Sequence, residues 1–326
     1  MTFARRQFLS LAAGSATLSV VSPVTSAQTY PSRPITMIVP SSVGGSSDTI
    51  GRVLAERMRA SLGQPVIVEN VSGANGSIGV GRTAHARPDG YTIVLGNVAS
   101  HVMNGAVYTL PYDVLNDFEP ISPLITTPYI LFVRKTMSFK NCNELVAWLK
   151  ANPNKASAAA GLISHHLLFV SFQKATGTQF TLVPYRGVAP AMQDLVAGHI
   201  DMSLQPPDNL AMMRAGAVSA YAVTSDTRLT LAPDIPTFAE LGLPTVSYSG
   251  WSAFFAPKGT SKEVIGVLNV AAKEALIDPT VQSRLNELGF EVFSRGQQTP
   301  EALGALQRAE IKKWWPIIKA AGTKPE

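Results

Sequence analysis

ISPLITTPYILFVRK, residues 121–135, is long, apolar and extended, and SYSGWSAFFAPKG, residues 247–259, has the same character. Two extended crossings that enclose a long middle block imply a discontinuous first domain and an inserted second one. Residues 28–130 with 250–326 are then expected to form one lobe and residues 131–249 the other. Such a topology leaves a cleft between lobes, a preferred place for a small ligand.

Outward from these crossings, short apolar runs alternate with longer helical patterns. Strands are expected at 35–39, 66–69, 92–95, 130–133, 181–184, 201–204, 220–224 and 253–256. Helices are expected at 48–62, 144–151, 164–176, 189–197, 262–276, 279–288 and 300–321. Alternation of this kind indicates α/β architecture with largely parallel sheets. No internal repeat or low-complexity segment interrupts it.

The chain has 326 residues, 46% of them hydrophobic and 15% charged, which is enough for two globular domains. Lysine and arginine total 27 against 22 acidic residues, and two of the cations, Arg5 and Arg6, fall in the leader. No basic run or aromatic-basic interleaving occurs, so no nucleic-acid partner is expected. The lone cysteine, Cys142, excludes a disulfide framework and a cysteine metal site.

The N-terminus, MTFARRQFLSLAAGSATLSVVSPVTSA, has a basic pair, an apolar run and small residues before Gln28. Residues 1–27 read as a cleavable signal peptide. The apolar run, residues 9–21, falls short of the ~20 residues that span a bilayer as a helix. RRQFL fits a twin-arginine signal or an ordinary export signal equally. The mature protein is expected to be soluble in the periplasm.

The first strand runs into VPSSVGGSSD, where Ser41 and Ser42 precede Gly44 and Gly45, and Ser46, Ser47 and Asp48 open a helix. Glycines admit a ligand close to the backbone, and the first amides of a helix are unpaired donors with positive partial charge. Together they suit an anion. Capping alone explains many such turns, and Asp48 reads better as a cap than as a ligand contact. No GKS, GKT or GxGxxG pattern follows a strand, which disfavours nucleotides and any nucleotide cofactor.

A second turn of this kind is ASAAAGLISHH, where small residues 156–161, ending in Gly161, lead to a helix opening near Ser164. A polar turn, GNVASHVMN, carries Asn97, Ser100 and His101 after the third strand. VPYRG places Tyr185 and Arg186 after a strand of the middle block, and Gln205 follows the strand at 201–204. Arg186 offers either a bidentate carboxylate clamp or a surface brace. No histidine pairs at i,i+4 with another ligand-type residue, and His165 and His166 are adjacent, so metal is not expected. His165 is placed to donate into the cleft, and His166 to pack. No GxSxG elbow raises a serine, so catalysis is not expected.

The ordered motifs YPSRPITMIVP, GGSSD, VENVSGANGSIG, RPDGYT, NDFEPIS, VPYRGVAPAMQDLVAGHIDM, AVTSDTR, PDIPTFAELG, SGWSAFFAPKGT and AEIKKWWPIIKAAG cover essentially the whole mature chain. In this order they resemble the solute receptors of tripartite tricarboxylate transport systems, often called Bug proteins. The resemblance implies a two-lobed, type II periplasmic binding protein that takes a small carboxylate and passes it to membrane permease subunits, expected to act as a monomer without a cofactor. It places binding turns at 41–48, 97–101 and 161–165, with Tyr185 and Arg186 in the motif after the lobe-two strand. Ser41, Ser42 and Val43 stand where the family usually has an aromatic residue and prolines, and the LISHH turn is shorter than usual. The pocket floor is therefore expected to be roomier and more polar on the lobe-one side. Alternatives from other classes are a sensor that docks on a signalling partner and a secreted hydrolase.

Overall fold

In the first sheet, three parallel strands, β1 (Ile35–Val39), β2 (Val66–Asn70) and β3 (Thr92–Asn97), are joined through α1 (Ser46–Leu62) and α2 (Ser77–Ala84). The computed structural model describes residues 30–185 and 187–321, so the leader and Arg186 lie outside the described residues. A π-helical turn, Ala99–Met103, and the short α3 (Asn104–Val107) lead on to β4 (Phe118–Pro128). The chain then passes through Tyr129 into a second sheet built from β5 (Ile130–Arg134), β6 (Ser157–Ala160), β7 (Thr181–Pro184), β8 (Met202–Gln205) and β9 (Val218–Val223). Helices α4 (Cys142–Ala151), α5 (Ile163–Thr176), α6 (Val188–Ala197) and α7 (Leu210–Arg214) lie between these strands in sequence. The return strand β10 (Ser249–Pro257) rejoins the first sheet, followed by α8 (Lys262–Ile277), α9 (Pro279–Glu287), β11 (Glu291–Val292) and α10 (Pro300–Ala321).

Strand order is β11-β4-β10-β3-β1-β2 in one sheet and β7-β6-β8-β5-β9 in the other. Both sheets are mixed, which corrects the expectation of largely parallel ones. β10 runs antiparallel to β3 and β4, and β5 runs antiparallel to β8 and β9. The antiparallel members are β10 and β5, at the two passages, and the short edge strand β11, which runs antiparallel to β4. A second correction concerns residues 156–161: Ser157–Ala160 is a strand, not a turn, paired in parallel with β7 and β8. Alanine has little β preference, and burial between neighbours decides its state here.

The alternation in β1 explains its position. Ile35, Met37 and Val39 pack with Ile50, Leu54 and Met58 of α1 and with Leu268 and Ala272 of α8. Ile38 turns to the other face, with Val94, Phe255, Leu303 and Trp314. Each fully buried side chain of this size contributes roughly 1.5–3 kcal/mol. α1 ends at Gly63, whose φ of 64° closes the helix in the left-handed region. The far face of the second sheet buries Ile130 and Phe132 against Ala191, Met192 and Leu195 of α6.

Candidate functional site

The carboxyl ends of β1, β2 and β3 point to one edge, where open α/β sheets place their ligands. Beyond β1, Ser42, Val43 and Gly44 are exposed, and Gly44 takes a φ of 82°. Asp48, in the first turn of α1, reaches back to accept the Gly44 amide at 2.9 Å and pairs with Arg52 at 3.0 Å. Arg52 also donates to Asn70 Oδ1, and Asn70 Nδ2 donates to the Ser41 carbonyl. Burial raises the Asp48 carboxyl, but hydrogen bonds from Arg52, Gly44 and Asn70 outweigh it and hold the pKa below the usual value. Asp48 is thus an internal brace of the turn.

At the end of β3, Asn97 Oδ1 accepts the Ser100 amide at 2.9 Å, and Ser100 Oγ sits 3.0 Å from His101 Nδ1. The His101 ring is fully buried, stacked on Phe255 at 4.1 Å and edge-on to Phe118. Burial alone pushes its pKa down to about 3, so the ring is neutral. Only glycine fits at position 96, because a Cβ there would stand 2.3 Å from His101 Nδ1. The structure therefore places the His101 side chain in the core. The carbonyls of His101 and Val102, within the π-helical turn, receive Gln307 Nε2 and Trp315 Nε1 from α10, each at 2.9 Å.

Sequence reasoning overlooked the loop 73–76. Ala74 and Asn75 hold φ of 44° and 51°, a conformation that L-residues adopt at a cost of order 1–3 kcal/mol each. A Cβ on Gly76 would stand 2.9 Å from the Pro40 carbonyl and 3.7 Å from Ser100 Cβ, so the loop touches both the β1 and β3 turns. The glycines flanking Ala-Asn were the available signal.

In the second sheet, Gly161 approaches Gly187 so closely that a Cβ would stand 2.7 Å from the Gly187 carbonyl. Helix α5 opens at Ile163 with Leu162 as its N-cap, one residue before the expected start at Ser164, which therefore lies inside the first turn. Its hydroxyl lies 3.4 Å from Tyr129 OH. His165 is 1% exposed, edge-on to Tyr129 at 4.6 Å, with neither ring nitrogen hydrogen-bonded, and burial lowers its pKa to about 3. Tyr129 stacks on Tyr248 at 5.3 Å, and these two residues flank the two passages between the sheets. α5 packs against the π-helical turn, so the turns at 97–101 and 161–165 come together.

Tyr185 donates its hydroxyl to Asp194 at 2.6 Å; burial and that carboxylate together raise its pKa to about 12. Gln205 Nε2 donates to the Val188 carbonyl at 3.1 Å and to Ser203 Oγ at 2.8 Å, which leaves Oε1 unpartnered in a fully buried side chain. Asp208 was not singled out from sequence. It lies in the 3-10 turn Pro207–Asn209 after β8 and accepts Ser46 Oγ at 2.8 Å, joining the first turn of α1 to the second sheet's strand ends. Its neighbour Pro207 packs on Gly289, after α9. The Cys142 thiol is buried and pushed up to about 12, so it stays protonated. Among the described residues, no group of three or more His, Cys, Asp or Glu side chains is arranged to hold a metal ion.

The helix starts differ in kind. α4, α8 and α9 are capped by the side chains of Asn141, Ser261 and Asp278. α2, α3 and α7 lack a side-chain cap but continue preceding helical turns, whose Ala74, Ala99 and Pro207 carbonyls accept the amides of Ser77, Asn104 and Leu210. By contrast, α1, α5 and α6 begin directly at Gly45, Leu162 and Gly187 with no side-chain cap, so their first amides are available as donors.

Two mixed α/β sheets joined by two passages, with strand ends and uncapped helix starts opposed across Ser46 and Asp208, define a periplasmic-binding-protein fold. The comparisons are specific. Residues 50–323 match the profile of the tripartite tricarboxylate transporter family receptor, and the chain belongs to that family. It is 37% identical to Protein BugT of Bordetella pertussis over 314 residues, 95% of each chain. Among solved structures, the periplasmic binding protein BugD is 36% identical with a TM-score of 0.82, covering 91% of this chain and 100% of BugD. MatC from Rhodopseudomonas palustris with bound malate is 32% identical with a TM-score of 0.80, covering 89% of this chain and 100% of MatC. No helix among the described residues is long and apolar enough to cross a membrane.

Proposed function

We propose that this chain is a periplasmic receptor that closes two lobes around a small organic carboxylate and delivers it to the permease subunits of a tripartite tricarboxylate-type transporter. In this reading the first sheet, with the described residues of 30–128 and 249–321, is one lobe, the second sheet, with the described residues of 130–248, is the other, and Tyr129 and Tyr248 stack at the hinge. The observation that carries the reading is the contrast in helix caps. The starts of α1, α5 and α6, next to the cleft turns, have neither a side-chain cap nor a preceding helical turn to take their first amides, and charge-assisted bonds to an anion are roughly twice as strong as neutral ones. MatC, with malate bound, supports a carboxylate as ligand. The receptor acts as an exported monomer.

A thermal-shift screen of mono- and dicarboxylates tests this. A ligand at 100 times its Kd stabilises the native state by about 2.7 kcal/mol. Stabilisation by a carboxylate, and none by nucleotides or neutral sugars, is expected. A neutral compound that binds tightly while every carboxylate leaves the transition unmoved would overturn the reading.

A further inference from the structure

We infer that the α1 end of the cleft is an acceptor subsite for a ligand ammonium group, so that the ligand is an amino-carboxylate and not a plain dicarboxylate. The inference rests on the receptor reading above and deepens it. Two acceptors stand at the carboxyl end of β8. Asp208 receives Ser46 Oγ at 2.8 Å and Asn209 Nδ2 at 2.7 Å, and the backbone amides of Asn209 and Asp208 assist, but every one of these donors is neutral. Among the described residues, no lysine, arginine or histidine pairs with it. Burial pushes the Asp208 carboxyl upward against the pull of Ser46 and Asn209, which marks an anion short of compensating charge.

Gln205 supplies the second acceptor. The Val188 carbonyl accepts only, so the amide nitrogen must face it, and this fixes Oε1 as the unpartnered atom of a 0% exposed side chain. A buried acceptor without a donor is costly unless something supplies one. Asp208 also stands at the first residue of α1, where a free ligand carboxylate would otherwise be drawn. A second carboxylate there meets like charge, whereas an ammonium satisfies it. Gln205 is bound to Val188, the first residue of α6, so the ligand carboxylate is thereby left to the start of α5.

The test is calorimetry on the mature protein with a panel of α-amino acids, each paired with its des-amino carboxylate: glutamate with glutarate, aspartate with succinate, valine with isovalerate, phenylalanine with 3-phenylpropionate. For the pair that binds, the amino member is expected to bind at least tenfold tighter. Asp208→Asn should weaken the amino member at least tenfold and leave the des-amino member unchanged or tighter. Ser46→Ala, which removes the bridging hydroxyl but keeps the charge, should weaken both members by one common factor. A wild-type protein that binds the des-amino member as tightly overturns the inference, as does an Asp208→Asn variant that weakens both members equally. Binding of carboxylates without any amino-carboxylate overturns it while the receptor reading stands. Absence of any carboxylate binding overturns both.

Discussion

A methyl group at position 289 should hold the cleft open. A Cβ built on Gly289 stands 2.2 Å from Pro207 Cβ, whereas carbon atoms in contact prefer about 3.5–4.0 Å. Gly289 follows α9 on the first sheet and Pro207 precedes Asp208 after the second, so the clash falls between the two halves and not within either core. Gly289→Ala carries two costs. Its φ of 75° strains an L-residue by about 1–2 kcal/mol in any state of the cleft. The wedge adds about 1–3 kcal/mol of overpacking to the closed arrangement alone. Gly242→Ala separates the two, because Gly242 has a φ of 77° with nothing within 4 Å of its added Cβ. Both variants should lose several degrees of melting temperature. Only Gly289→Ala should also weaken ligand binding by calorimetry, by roughly fivefold to a hundredfold, the factor equivalent to the wedge. Solution scattering should show it failing to compact when ligand is added. Equal affinities for the two variants would refute the argument that Pro207 on Gly289 belongs to closure.

Two further outcomes follow from the buried imidazoles. His101 and His165 are held neutral with pKa values near 3 against 6.5 in the unfolded chain, so below about pH 6.5 the unfolded state binds protons that the native state refuses. Stability should be full above that pH and fall toward pH 3 at up to about 2.7 kcal/mol per unit for the pair, read from urea midpoints; NMR titration of either ring near 6.5 would contradict it. Gly96→Ala should cost about 1–3 kcal/mol and displace the ring stack of His101 on Phe255, seen as loss of the upfield-shifted imidazole resonance; an unchanged resonance would mean that the turn relaxes without moving the ring.

Much of the strand set was legible because it rests on β-branched runs: ITMIV, VIVE and ILFV are apolar enough, and short enough, to be strands wherever they dock. The segment SAAA was not, since its strand state comes from the neighbours β7 and β8 and not from alanine. Strand direction was equally hidden. Nothing in SGWSAFFAP says that it inserts antiparallel between β3 and β4, because an apolar strand buried on both faces looks the same in either direction.

The site divides along the same line. Turns that act on their own neighbours were readable: Gly44, Ser46 and Asp48 announce a helix start, and Asp48 braces it from within four residues. Contacts that exist only after the sheets meet were not. Asp208 sits in PPDN, a string that reads as an ordinary turn, and its partner Ser46 is 162 residues away. His101 shows the converse error, a polar residue in a polar-looking turn whose ring is claimed by Phe118 and Phe255 from strands β4 and β10. Local chemistry in a sequence identifies groups able to bind; tertiary packing then consumes some of them and supplies others. The free amides of α1, α5 and α6 survive that selection because glycine and leucine at their caps offer no competing acceptor. The acceptors Gln205 and Asp208 survive it because, among the described residues, Gln205 Oε1 meets no donor and Asp208 meets only neutral ones, and this is what leads us to infer a ligand with an ammonium group beside its carboxylate.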